Sequence, residues 1–160
     1  MHVSKIVGFV FIITLATSCG HGANTMNKST VFPKGDQAPK EIFTNTTWVK
    51  MLHTDDDGAF DTQVYNVTFE PAARTFWHSH PGGQILLITE GTGYYQEKDK
   101  AAQPLKPGDV VAIPADVVHW HGAAPDSQFV HIGMSTQVHL GPAKWFGAVT
   151  DEEYRAATAK

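Results

Sequence analysis

An intramolecular disulfide is closed to this chain, because Cys19 is its one cysteine in 160 residues. Basic residues are scarce too. Twelve Lys and Arg against 16 Asp and Glu give a formal net charge of −4, with no basic cluster along the chain. Phosphate binding needs such a patch, so nucleic acid is not an expected partner. No apolar run reaches the roughly 20 residues that a helix needs to cross a bilayer. No long internal repeat is visible. The length fits one domain, large enough to bury a core without disulfides. Histidine, by contrast, is plentiful: nine residues, several close together.

The amino terminus has its own character. Lys5 precedes an apolar run over residues 6–15, and Leu15-Ala16-Thr17-Ser18-Cys19 closes it with small residues. That order is the pattern of a secretory signal. The residues before Cys19 resemble a bacterial lipobox, which implies a lipidated Cys19 and an exported, periplasmic lipoprotein. Its only membrane contact would be that anchor. An ordinary cleaved signal is the alternative. His2 falls in the signal. Residues 1–19 are read as signal peptide, 20–40 as a polar flexible linker, 41–140 as a β-domain, and 141–160 as an extension ending in a short helix.

From Ile42 onward the pattern is that of strands. Thr46 to Val49 is β-prone, and Asp55-Asp56-Asp57-Gly58 is a turn with too few ligands for a calcium loop. Tyr65, Val67 and Phe69 alternate with polar residues, predicting a half-buried strand. Residues 75–80 predict another, ended by Pro81-Gly82-Gly83. Ile85-Leu86-Leu87-Ile88 reads as fully buried. Further strands follow around Tyr94, Val110, Val117 to His121, and Phe129 to Met134. Many short strands with Gly/Pro turns predict an all-β sandwich or barrel. Thr150-Asp151-Glu152-Glu153 is a capping box that opens the helix, with Trp145 and Phe146 expected to dock it.

His78 and His80 stand two apart, so strand geometry points both imidazoles to one face. Gln84 follows a Pro-Gly-Gly turn and returns at the same level on the next strand. His119 and His121 form a second such pair. Two pairs facing one interior predict a metal site, and imidazole suits manganese, iron, zinc, nickel and copper alike.

These residues resemble the two motifs of the cupin family. The first reads His78-Ser79-His80-Pro81-Gly82-Gly83-Gln84 with Gly91 in place, and the second runs from Gly108 through Pro114 to His119. The chain departs from the family pattern at Gln84, usually Glu, and at Asp116, usually Gly. The family's opening glycine is also missing, with Ala73 and Arg74 near its place. Phe69-Glu70-Pro71, Ala73-Arg74-Thr75, Trp77 to Pro81, Gly83-Gln84 and His119-Trp120-His121-Gly122-Ala123-Ala124-Pro125 resemble the manganese-dependent bacterial hydroxynitrile lyases within that family. Trp145, Val149 to Glu152 and Tyr154 resemble their C-terminal segment. The resemblance implies a single jelly-roll β-barrel holding one divalent metal ion on His78, His80, Gln84 and His119. Manganese is the first expectation, with iron, zinc or nickel as alternatives. It also implies catalytic roles for His121 and His131 beside the metal and a small-molecule substrate; a homo-oligomer is the expected assembly.

Replacing the usual Glu by Gln84 leaves the ion its full positive charge, which favours Lewis-acid work over oxygen chemistry. A lyase on cyanohydrins or related hydroxy and carbonyl compounds is the leading expectation. A dioxygenase of the quercetinase type is the second, and a non-enzymatic binder of metal or small ligand the third. His121 and His131 speak against a mere binder, since each could serve as a base or could simply orient a ligand. Phe76, Trp77, Tyr65 and Val67 are candidate pocket walls, and His53 and His139 are read as surface residues.

Overall fold

The computed structural model of the protein describes residues 31–159. The segment read as a signal peptide, with Cys19 and His2, and the first part of the segment read as a linker therefore lie outside the described residues. Thirteen strands occur among the described residues, in chain order: β1 (Asp36–Gln37), β2 (Phe43–Thr44), β3 (Thr47–His53), β4 (Thr62–Phe69), β5 (Arg74–Thr75), β6 (His78–Ser79), β7 (Gln84–Gly91), β8 (Gly93–Glu97), β9 (Gln103–Leu105), β10 (Val110–Ile113), β11 (His119–Ala123), β12 (Phe129–Thr136) and β13 (Lys144–Trp145). Among the described residues a 3-10 turn (Val138–Leu140) and one α-helix, α1 (Asp151–Thr158), complete the fold. The first sheet has the order β1-β3-β4-β12-β7-β10, and the second β13-β6-β11-β5-β2, with β8 and β9 added beside β11. The two curled sheets enclose a core that includes Val67, Phe69, Leu86, Ile88, Ile113 and Phe129. This is the expected all-β cupin-type barrel.

Several local expectations change. On β4, Asn66 and Thr68 are as buried as Val67 and Phe69. The chain before β3 covers that face: Asn66 Nδ2 donates to Pro33 O at 3.2 Å, and β1 pairs with β3. Residues 36–37, inside the span read as linker, are thus part of the sheet. On β7, Leu87 is exposed while Leu86 and Ile88 are buried, so an apolar run read as fully buried instead alternates. Residues 75–80 do not form one strand. Phe76 N donates to Ile42 O and Trp77 N to Gly147 O, so the pairing partner switches mid-segment.

Asp116, standing at a family glycine, has φ 57°. Aspartate tolerates that left-handed conformation better than most residues, and its carboxylate pairs with Lys144 at 3.1 Å. Gly91 keeps its motif identity for a steric reason. At φ 70° its Cβ would lie 1.7 Å from Gln128 O.

Helix α1 opens with the predicted capping box: Glu153 N donates to Thr150 Oγ1, and Thr150 N donates to Glu153 Oε2. Its docking differs from expectation. Tyr154 hydroxyl donates to Ala123 O at 2.7 Å, and Tyr154 packs with Trp77, Trp120 and Val149 in a second core. Buried Arg74 holds Val149 O and Asp151, with its guanidinium over the Tyr154 ring. Trp145 and Phe146 take no part in that second core and are half-exposed. Trp145 pairs with His78 across β13 and β6 instead.

Candidate metal centre

His78 and His119 are register partners on β6 and β11, so antiparallel pairing sets the two side chains together. Their rings lie 4.2 Å apart between centroids. His80 follows β6 on the same face, and Gln84 opens β7 in the facing sheet. Ligand atoms of His78, His80 and His119 all fall within 4.8 Å of one another. This group could hold a metal ion. Gln84 Oε1 lies 3.0 Å from His119 Nε2.

The nitrogens are set for coordination. His78 Nδ1 lies 3.0 Å from Phe76 O and His119 Nδ1 2.9 Å from Val117 O. A neutral imidazole that donates its Nδ1 hydrogen to a carbonyl keeps a bare lone pair on Nε2. His80 Nδ1 lies 3.2 Å from Ser135 Oγ, and His80 Nε2 is buried without a hydrogen-bond partner. Burial, helped by His119 and His80, holds His78 well below the usual imidazole range. Burial pushes His80 and His119 down to about 4, for His80 with His119 adding to the effect. All three are therefore neutral, the form that binds metal. With His119 neutral, its Nε2 lone pair faces the Gln84 oxygen, two acceptors with no hydrogen between them. A cation shared by both relieves that repulsion, so the residues fit a metal.

His121 and His131 lie deeper, buried against Phe69. Burial holds His121 far below its ordinary value, with His131 and His78 adding to it, and pushes His131 to about 4. His121 borders the cavity that His78 and His80 also line, whereas His131 reaches it only through His121. The cavity measures about 480 Å3. Its apolar wall includes Ile42, Phe43, Val49, Met51, Val67 and Trp145, and its polar wall includes Tyr65, Gln84 and Ser135. Trp145 stacks on His78, centroids 4.7 Å apart and planes 25° apart.

Of the four candidate wall residues, Tyr65 and Val67 border this cavity and Phe76 and Trp77 do not. The alternation that turns His78 and His80 inward turns Trp77 outward, into the core beneath α1. His53 is partly exposed near Asp55, and exposed His139 pairs with Asp61 at 2.6 Å. Sequence reasoning missed Ser135 and gave Trp145 another role. Ser135 lies four residues after His131 on one strand, so period two could have placed it on the same inner face.

Residues 65–132 match the family model for the cupin domain. A protein of Granulicella tundricola named (R)-mandelonitrile lyase is 40% identical over 119 residues, covering 74% of this chain and 90% of that one. The crystal structure of a cupin-like protein from Thermotoga maritima superposes with a TM-score of 0.81 at 63% identity, over 82% of this chain and 98% of its own. A cupin-2 domain from Rhodospirillum rubrum shares the fold at 16% identity, with a TM-score of 0.60 over 78% of this chain and 82% of its own. Barrel, histidine cluster and relatives agree: the chain belongs to the cupin family, with an (R)-mandelonitrile lyase among its relatives.

Proposed function

We propose that the chain is a metal-dependent lyase of the hydroxynitrile lyase type, cleaving a cyanohydrin into a carbonyl compound and hydrogen cyanide. One observation carries this reading: three neutral imidazoles converge beside an amide, not a carboxylate, and His78, His80 and the amide of Gln84 line a largely apolar cavity. The 40% identity to a mandelonitrile lyase supports it. In this reading His78, His80, His119 and Gln84 hold one divalent ion, manganese first, which would supply Lewis-acid stabilisation of a substrate oxygen or a departing anion.

The chain's own groups do the rest. Cleavage removes the hydroxyl proton, breaks the bond to the nitrile carbon, and returns a proton to cyanide. His121 Nε2 has no hydrogen-bond partner among the described residues and belongs to a cavity-lining side chain, so it is placed to exchange that proton. His131 acts through His121. Phe43, Val67 and Trp145 provide an apolar seat for the organic group and exclude water from it. Export and tethering through a lipidated Cys19 belong to the same proposal.

Metal analysis of the purified protein, with mandelonitrile cleavage and oxygen uptake measured side by side, tests the reading. About one manganese per chain and cyanide release without oxygen consumption are expected. Replacing His78, His80 or His119 by Ala should strip most of the metal while the barrel stays folded. Oxygen uptake without cleavage would replace the lyase reading with a dioxygenase.

A further inference from the structure

Two hydroxyls link Gln84 to His80. Gln84 Nε2 donates to the Tyr65 hydroxyl at 2.7 Å, that hydroxyl lies 2.9 Å from Ser135 Oγ, and Ser135 Oγ lies 3.2 Å from His80 Nδ1. The link crosses the adjacent strands β7, β12 and β4. Gly133 makes room for it: a Cβ there would lie 2.2 Å from the Tyr65 ring.

A side-chain amide has two ends of equal reach, one accepting and one donating. A metal takes only the oxygen. Turned the other way, the Gln84 NH2 would meet the His119 Nε2 lone pair and compete with the ion. Turned oxygen-inward, it needs a buried acceptor for the NH2, because a buried donor left without a partner keeps the full cost of its lost hydration. Tyr65 is that acceptor. His80 has the equivalent problem. Coordination through Nε2 requires a hydrogen on Nδ1, and Ser135 Oγ accepts it.

We infer that Tyr65 and Ser135 are positioning residues that hold Gln84 oxygen-inward and His80 with its Nε2 lone pair inward, so the barrel wall selects the coordinating form of both. This rests on the metal reading above. The test is calorimetric titration of Mn(II) into metal-free protein. Tyr65→Phe should weaken binding by on the order of tenfold, the usual scale for partners of metal ligands. The informative background is Gln84→Glu, where both ends of the side chain are oxygens. There the Tyr65→Phe penalty should shrink to about twofold or less. Ser135→Ala should weaken binding and Ser135→Thr should restore it, which carries the test if Tyr65→Phe fails to fold. An unchanged affinity in Tyr65→Phe, or an equal penalty in both backgrounds, overturns the inference and makes Tyr65 a packing residue. Wild-type protein that takes up no manganese, iron or zinc would instead fail the metal reading itself.

Discussion

His131 Nε2 lies 3.3 Å from His121 Nδ1, and the far nitrogen of each ring, His121 Nε2 and His131 Nδ1, has no hydrogen-bond partner among the described residues. One ring reaches the cavity and the other reaches it only through the first. His121→Ala should therefore lower kcat for cyanohydrin cleavage by on the order of 100-fold, the lower end for loss of a general acid–base group. Metal content should not change. His131→Ala should cost less. Measured turnover at matched metal occupancy decides it, and a His121→Ala enzyme of normal speed would remove His121 from the chemistry.

Gln84→Glu should keep the metal or bind it more tightly, since a carboxylate coordinates at about 2 Å and adds charge. The same charge weakens the ion's pull on a substrate oxygen. Cleavage should slow tenfold for each ~1.4 kcal/mol of transition-state stabilisation lost. Retained metal with unchanged cleavage would make Gln84 a structural ligand and break the link from its neutrality to lyase chemistry.

Acid should destabilise the metal-free fold through its buried histidines. His78, His80, His119, His121 and His131 all titrate below the ordinary imidazole value of about 6.5 in the fold, chiefly through burial. The unfolded chain then binds more protons than the folded one, so stability is full above about 6.5 and drains away as pH falls toward 4. The melting temperature of metal-free protein should drop between pH 7 and pH 5. A flat profile would mean that these rings take up protons in the fold as readily as in the unfolded chain.

Export is tested by fractionation. Cys19→Ser should move the protein out of the membrane fraction if Cys19 carries lipid. A mutant that fractionates like the wild type leaves only the ordinary cleaved signal.

The barrel and the three histidines were legible because they depend on local spacing: His-x-His on a strand, turn glycines, and a second motif ending at His119. What was not legible depends on partners. The break between β5 and β6 arises because Phe76 and Trp77 bond to Ile42 and Gly147, far away in sequence. Asn66 is buried because residues near Pro33 return over it. Trp145 looked like a helix anchor from its place before the capping box, yet Arg74 and Tyr154 hold the helix, leaving the indole free to pair with β6. Tyr65 was read as a wall. Its hydrogen bonds to Gln84 and Ser135 require the strand order β7-β12-β4, which no local pattern carries.

The stack of Trp145 on His78 has an optical consequence. Indole is fluorescent, and a paramagnetic ion held by the neighbouring imidazole would quench it through close contact. Trp77 and Trp120 sit in the other core, beneath the helix. Binding of such an ion would therefore register as dimming of Trp145 fluorescence, with no label attached.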